Sequence, residues 1–91
     1  MQVTIACDED IVNMLKNRDR KAMVLLLGRY GKELYSFIYH RLNSEELTEA
    51  TLKKTFAAIW NASQNYNKPP EHFFIWLLRI AQQNIDEVCS T

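Results

Sequence analysis

Two cysteines, two histidines and a run of glutamates are the residues of this chain that could do chemistry of their own. A nucleophilic thiol needs a base beside it, and a metal needs several ligands at short spacing. Cys7 and Cys89 lie at opposite ends, with no Cys-x-x-Cys spacing and no neighbouring histidine. They read as ordinary thiols, which fits a cytoplasmic protein. His40 and His72 are equally isolated and read as surface or half-buried imidazoles. Glu45, Glu46 and Glu49 can share one side of a helix. Without a histidine or a second acidic cluster they make a solvated face, with Glu49 and Lys53 at the favourable i, i+4 spacing. There is no glycine-rich phosphate loop and no serine or cysteine at nucleophile spacing from a histidine. The expectation is a protein that is not an enzyme and uses no metal or cofactor. Recognition is what remains.

The elements that would position a recognition surface are helical. The chain has 91 residues, 47% of them hydrophobic and 24% charged, which suits one domain with one core. Its longest apolar runs, residues 22–27 and 73–78, are six residues each, against about 20 needed to span a bilayer, so no membrane partner is expected. Residues 1–7 alternate around Val3 and Ile5 but have no partner strand, and read as a tail. Asp8, Glu9 and Asp10 suit a helix N-terminus, and Ile11, Met14 and Leu15 carry that helix to about Lys16.

A second helix starts near residue 18 with a stripe of Ala22, Met23, Leu26, Leu27 and Tyr30. Gly28 and Gly31 interrupt it, and a break or kink is expected at residues 30–32 before Leu34, Tyr35, Ile38 and Leu42 resume the pattern. Asn43 with Glu46 three residues on reads as a capping box opening a third helix through Leu47, Leu52, Phe56, Ile59 and Trp60. Residues 62–72 form a polar loop containing Pro69 and Pro70. A final helix begins around Pro70 and runs through Phe73, Trp76, Leu77, Ile80, Ala81 and Ile85 to about Val88. Phe74 and Leu78, one turn apart, read as a second apolar strip on that helix, and Val24 and Leu25 exceed the core stripe of theirs. The expected fold is all-α: a compact bundle of four to five helices over residues 8–89.

The series Asp19-Arg20-Lys21-Ala22-Met23, Leu26-Leu27, Arg29-Tyr30, Leu34-Tyr35, Phe56, Ile59-Trp60, Phe73, Trp76-Leu77 and Arg79-Ile80-Ala81 resembles region 2 of bacterial sigma factors. The extracytoplasmic-function type is the most similar, over about residues 17–88. The resemblance implies a small helical domain with two contacts. One helix meets the β′ clamp helices of core RNA polymerase, here through Glu46, Glu49, Ala50 and Lys53. The following loop and last helix melt and read the non-template strand of the promoter −10 element. On this chain those residues would be Asn65, Asn67 and Lys68 in the loop, and Arg79, Gln82 and Gln83 on the helix. Reading one strand calls for unstacked bases held by aromatic and amide groups, with cations following the phosphates. Most of the matched residues, including Phe56, Trp60, Trp76, Leu77 and Ile80, stand at core spacing and speak for the fold.

The chain departs from the family pattern at the contact surfaces. Ala50 and Lys53 stand where the family usually has Asp and Gln, and Gln82-Gln83 where it commonly has Arg-Asn. Charge is also unevenly placed: residues 16–41 carry net +5, while residues 68–87 carry net −1. A rival expectation therefore stands beside the first. It is a sigma-like protein–protein interaction module without promoter recognition, self-associating or meeting an anti-sigma-like partner.

Overall fold

The structure, a computed structural model, describes residues 7–89; the expected strand-like tail at residues 1–6 lies outside them. Four helices follow in order: α1 (Asp8–Lys16), α2 (Lys21–Leu42), α3 (Glu45–Ala62) and α4 (Phe73–Cys89). Short 3-10 turns at Ser63–Asn65 and Pro70–His72 shape the connection from α3 to α4. No strand occurs among the described residues, and no helix there is long and apolar enough to cross a membrane. The all-α expectation is met with four helices.

Helix α1 begins with its three acids in the first turn, where they oppose the helix dipole. Asp8 does more than that. Its carboxylate accepts from the Tyr30 hydroxyl at 2.7 and 2.8 Å and from Arg29 Nε at 2.9 Å, which ties the start of α1 to the middle of α2. The helix ends in a Schellman motif: Arg18 N–H donates to Leu15 O and Asp19 N–H to Met14 O, with Arg18 in the left-handed region at φ 58°. Glycine usually fills that position. Arg18 is kept there by its guanidinium, which lies 4.1 Å over the Trp60 ring and donates from Nη1 to Trp60 O at 2.9 Å.

Helix α2 packs against each of the other three, and it runs unbroken through residues 30–32, where a kink was expected. Neither glycine takes a positive φ, so both remain in helical geometry. Their combined propensity cost is about 2 kcal/mol. Burying Leu26, Leu34 and Ile38 completely outweighs it, at roughly 1.5–3 kcal/mol per side chain. Leu27, placed by its spacing in the core stripe, is instead 54% exposed. Asn43, expected to cap α3, ends α2 in the left-handed conformation at φ 56°. The α3 cap is Ser44, whose Oγ accepts from Leu47 N–H at 3.2 Å.

The buried face of α3 is the largest departure from expectation. Apolar letters put Leu47, Leu52, Phe56, Ile59 and Trp60 inward; Ile59 is buried as expected, but the residues buried with it are Thr48, Thr51 and Thr55. Leu47 is 43% exposed, and Leu52, Phe56 and Trp60 are half-buried. Threonine can line a buried helix face because its methyl packs while its hydroxyl bonds back to the previous turn. Thr55 Oγ1 does so, donating to Thr51 O at 2.8 Å, and also accepts from Asn84 Nδ2 of α4 at 3.2 Å. Thr48 and Thr51 hydroxyls have no such partner among the described residues.

Helix α4 buries Phe73, Leu77, Ile80, Ala81 and Ile85, the face that its spacing implied. Phe74 is packing rather than an open strip: its ring stacks on Tyr30 at 4.8 Å, and Leu78 likewise packs against the core. An aromatic cluster of Tyr30, Tyr66, Phe73, Phe74 and Trp76 then fixes the start of α4 to α2 and to the loop.

Candidate nucleic-acid interface

The loop before α4 is ordered by a residue whose role the sequence reading passed over. Tyr66 is 3% exposed, although it stands in a polar stretch. Its ring meets Phe73 at 5.7 Å and Trp76 at 5.0 Å, both edge-on, and its hydroxyl donates to Pro69 O at 2.6 Å. Burial raises the phenol above its ordinary pKa, and the negative charges of Asp8 and Glu71 add to the effect. The signal was present: one aromatic ring among polar residues just before Pro69-Pro70. Gln64 secures the other end of the loop. Its Nε2 donates to Leu15 O and Lys16 O, at 3.4 and 3.3 Å, satisfying carbonyls at the end of α1.

With the loop held this way, Lys68 comes to lie across a shallow open pocket from α4. Lys68, His72, Ile75, Trp76 and Arg79 line it, with an accessible volume of about 70 Å³. The four residues from His72 onward recur at i, i+3, i+4 and i+7, one side of the 3-10 turn and α4 taken together. Lys68, His72, Ile75 and Arg79 are exposed, and Trp76 is half-buried between the pocket and the aromatic cluster. Lys68, Arg79 and the His72 ring therefore surround an aromatic and aliphatic floor of Trp76 and Ile75. Such a surface can hold a flat ring against Trp76 while cations meet the phosphate attached to it. His72 and Ile75 join a site for which their sequence context gave no hint.

Of the six candidate DNA contacts, Lys68 and Arg79 are brought together at this pocket. Gln83 is exposed one turn beyond Arg79, and Asn65 and Asn67 are exposed on the same loop without lining the pocket. Gln82 is already engaged: its Oε1 accepts from Arg41 Nε at 3.1 Å, and its Nε2 donates to Asp86 Oδ1 at 2.8 Å. The candidate polymerase contacts Glu46, Glu49, Ala50 and Lys53 are all exposed, and their 3- and 4-residue spacing puts them on one side of α3. No hydrogen bond or ion pair joins Glu49 to Lys53 among the described residues, so the expected pair is open and each charge is solvated. Neither cysteine is bonded, and both are exposed. No family model, no curated protein and no solved structure matches this chain.

Proposed function

We propose that this chain is a sigma-region-2-like transcription-initiation domain. It binds core RNA polymerase through α3 and contacts the non-template strand of the promoter −10 element through the loop and α4. The observation that carries the reading is the pocket of Lys68, His72, Ile75, Trp76 and Arg79, where the loop and last helix bring cations to an aromatic floor. Phosphate contacts position a strand, and stacking or hydrogen bonding reads it. Asn65, Asn67 and Gln83 are free to supply amide contacts beside the pocket.

The near-neutral charge of residues 68–87 fits a contact made with help from polymerase rather than by DNA attraction alone. The test is a fluorescence titration with labelled single-stranded −10 oligonucleotides of varied sequence, in the presence of core polymerase. Sequence-dependent binding, weakened several-fold by Arg79→Ala and by Lys68→Ala, supports the reading. Affinity that ignores sequence and vanishes with modest salt overturns strand reading.

A second reading is an interaction module on the same fold that has lost promoter recognition and meets an anti-sigma-like protein. The engagement of Gln82 by Arg41 and Asp86 favours it, since that amide is no longer free for a base. Retained polymerase binding separates the first reading from the second.

A further inference from the structure

Met23, Val24 and Leu27 of α2 form an open apolar hollow with Phe56 of α3, with a volume of about 270 Å³. Val24 is 71% and Leu27 54% exposed, so this surface is presented rather than buried. The two glycines of α2 stand one turn after Val24 and Leu27. A Cβ at Gly31 would lie 2.9 Å from Leu27 Cδ1, so glycine there leaves room for Leu27 to lie as it does. Gly28, one turn after Val24, meets nothing within 4 Å, leaving a low point where another backbone can approach. Neither glycine serves a turn or a kink.

The rim is basic. Within one helical turn of the lining residues, the exposed charged side chains are Arg20 just before α2, Lys21 and Arg29 on α2, and Lys53 and Lys54 on α3. Those at i−3 or i−4 from a lining residue are Arg20, Lys21 and Lys53. None of these three has an acidic partner within ion-pair distance among the described residues. The nearby acid, Asp19, turns its carboxylate to the Lys21 backbone N–H at 3.0 Å. At Trp60, one turn after Phe56, the Arg18 guanidinium adds a further cation.

From this combination we infer that the α2–α3 hollow docks an amphipathic helix of a partner protein, one whose apolar ridge is flanked by aspartate or glutamate. The apolar floor takes side chains spaced i, i+3 or i+4, and i+7, and the cationic rim selects acidic flanks over basic ones. The inference goes beyond strand reading and does not depend on it.

The test uses the full chain and two labelled helical peptides of about 20 residues, a length that presents several turns. Both carry leucines at i, i+3, i+4 and i+7; one has glutamate flanks and the other lysine flanks. Fluorescence anisotropy is expected to show saturable binding at least ~10-fold tighter for the glutamate peptide, a difference worth about 1.4 kcal/mol. Val24→Asp, at a position too exposed to disturb the fold, is expected to weaken it at least ~10-fold with an unchanged thermal melt. Arg20→Glu with Lys53→Glu is expected to invert the preference. Equal affinity for the two peptides, no saturable binding, or binding untouched by Val24→Asp overturns the inference. So does a dimer seen by sedimentation and dispersed by Val24→Asp, which would assign the hollow to a second copy of this chain.

Discussion

Arg18 shows how one residue can hold an unfavourable backbone for the sake of its side chain. It occupies a left-handed position where a Cβ costs roughly 1–2 kcal/mol, and recovers that through Trp60. Arg18→Ala keeps the backbone strain and loses both contacts, so a loss of about 1–2 kcal/mol is expected in urea unfolding. Arg18→Gly loses the same contacts but relieves the strain, and is expected to be about 1 kcal/mol more stable than the alanine variant. Equal midpoints for the two would show that the left-handed backbone carries no cost.

Tyr66 makes a pH-dependent prediction. Its phenol pKa is raised in the folded chain above the ordinary 10.0, so the folded state holds that proton more firmly than the unfolded state does. The resulting stabilisation is complete below pH 10 and is lost as pH rises through the raised value. At neutral pH, Tyr66→Phe is expected to cost about 1 kcal/mol through the lost bond to Pro69 O. Above pH 10 the gap between the two proteins should narrow, because the variant has no phenol there to ionise. A gap that stays constant or widens in alkali contradicts the assignment.

At the scale of elements, helix existence and order were legible from periodicity, while several local details were not. The kink expected at residues 30–32 rested on glycine propensity, and burial along α2 outweighs that local cost. The inward face of α3 agrees with the apolar stripe at Ile59 alone, because threonines take the other buried positions. Thr48, Thr51, Thr55 and Ile59 carry helical spacing as cleanly as any leucine stripe. Their hydroxyls now differ in a way that mutation can read. Thr51 Oγ1 is buried without a partner, so Thr51→Val removes an unsatisfied group and is expected to raise stability by up to about 1 kcal/mol. Thr55 Oγ1 bonds both Thr51 O and Asn84, so Thr55→Val strands the Asn84 amide and is expected to cost about 1–2 kcal/mol. Thermal unfolding of the two variants side by side should move in opposite directions. A shift of the same sign in both would mean that these hydroxyls are not what distinguishes the positions.

Across the whole molecule, the sequence divides into a basic stretch on α2 and near-neutral or acidic segments elsewhere. The fold gives that division a geometry. Lys68 and Arg79 meet at the loop–α4 pocket, while Arg20, Lys21 and Lys53 rim the apolar hollow between α2 and α3. The pair Lys68 and Arg79 was legible in advance as candidates, but His72, Ile75 and the bracing role of Tyr66 depend on how residues 62–72 turn, which polar composition does not specify. The proposed sigma-like role stands or falls on polymerase. The most direct measurement is equilibrium binding of the chain to core RNA polymerase and to an isolated β′ clamp-helix fragment, with Glu49→Lys and Ala50→Arg as surface variants. The account predicts saturable binding to both, weakened by each variant while the thermal melt stays unchanged. Absence of binding at concentrations where an ordinary sigma region 2 binds would contradict it.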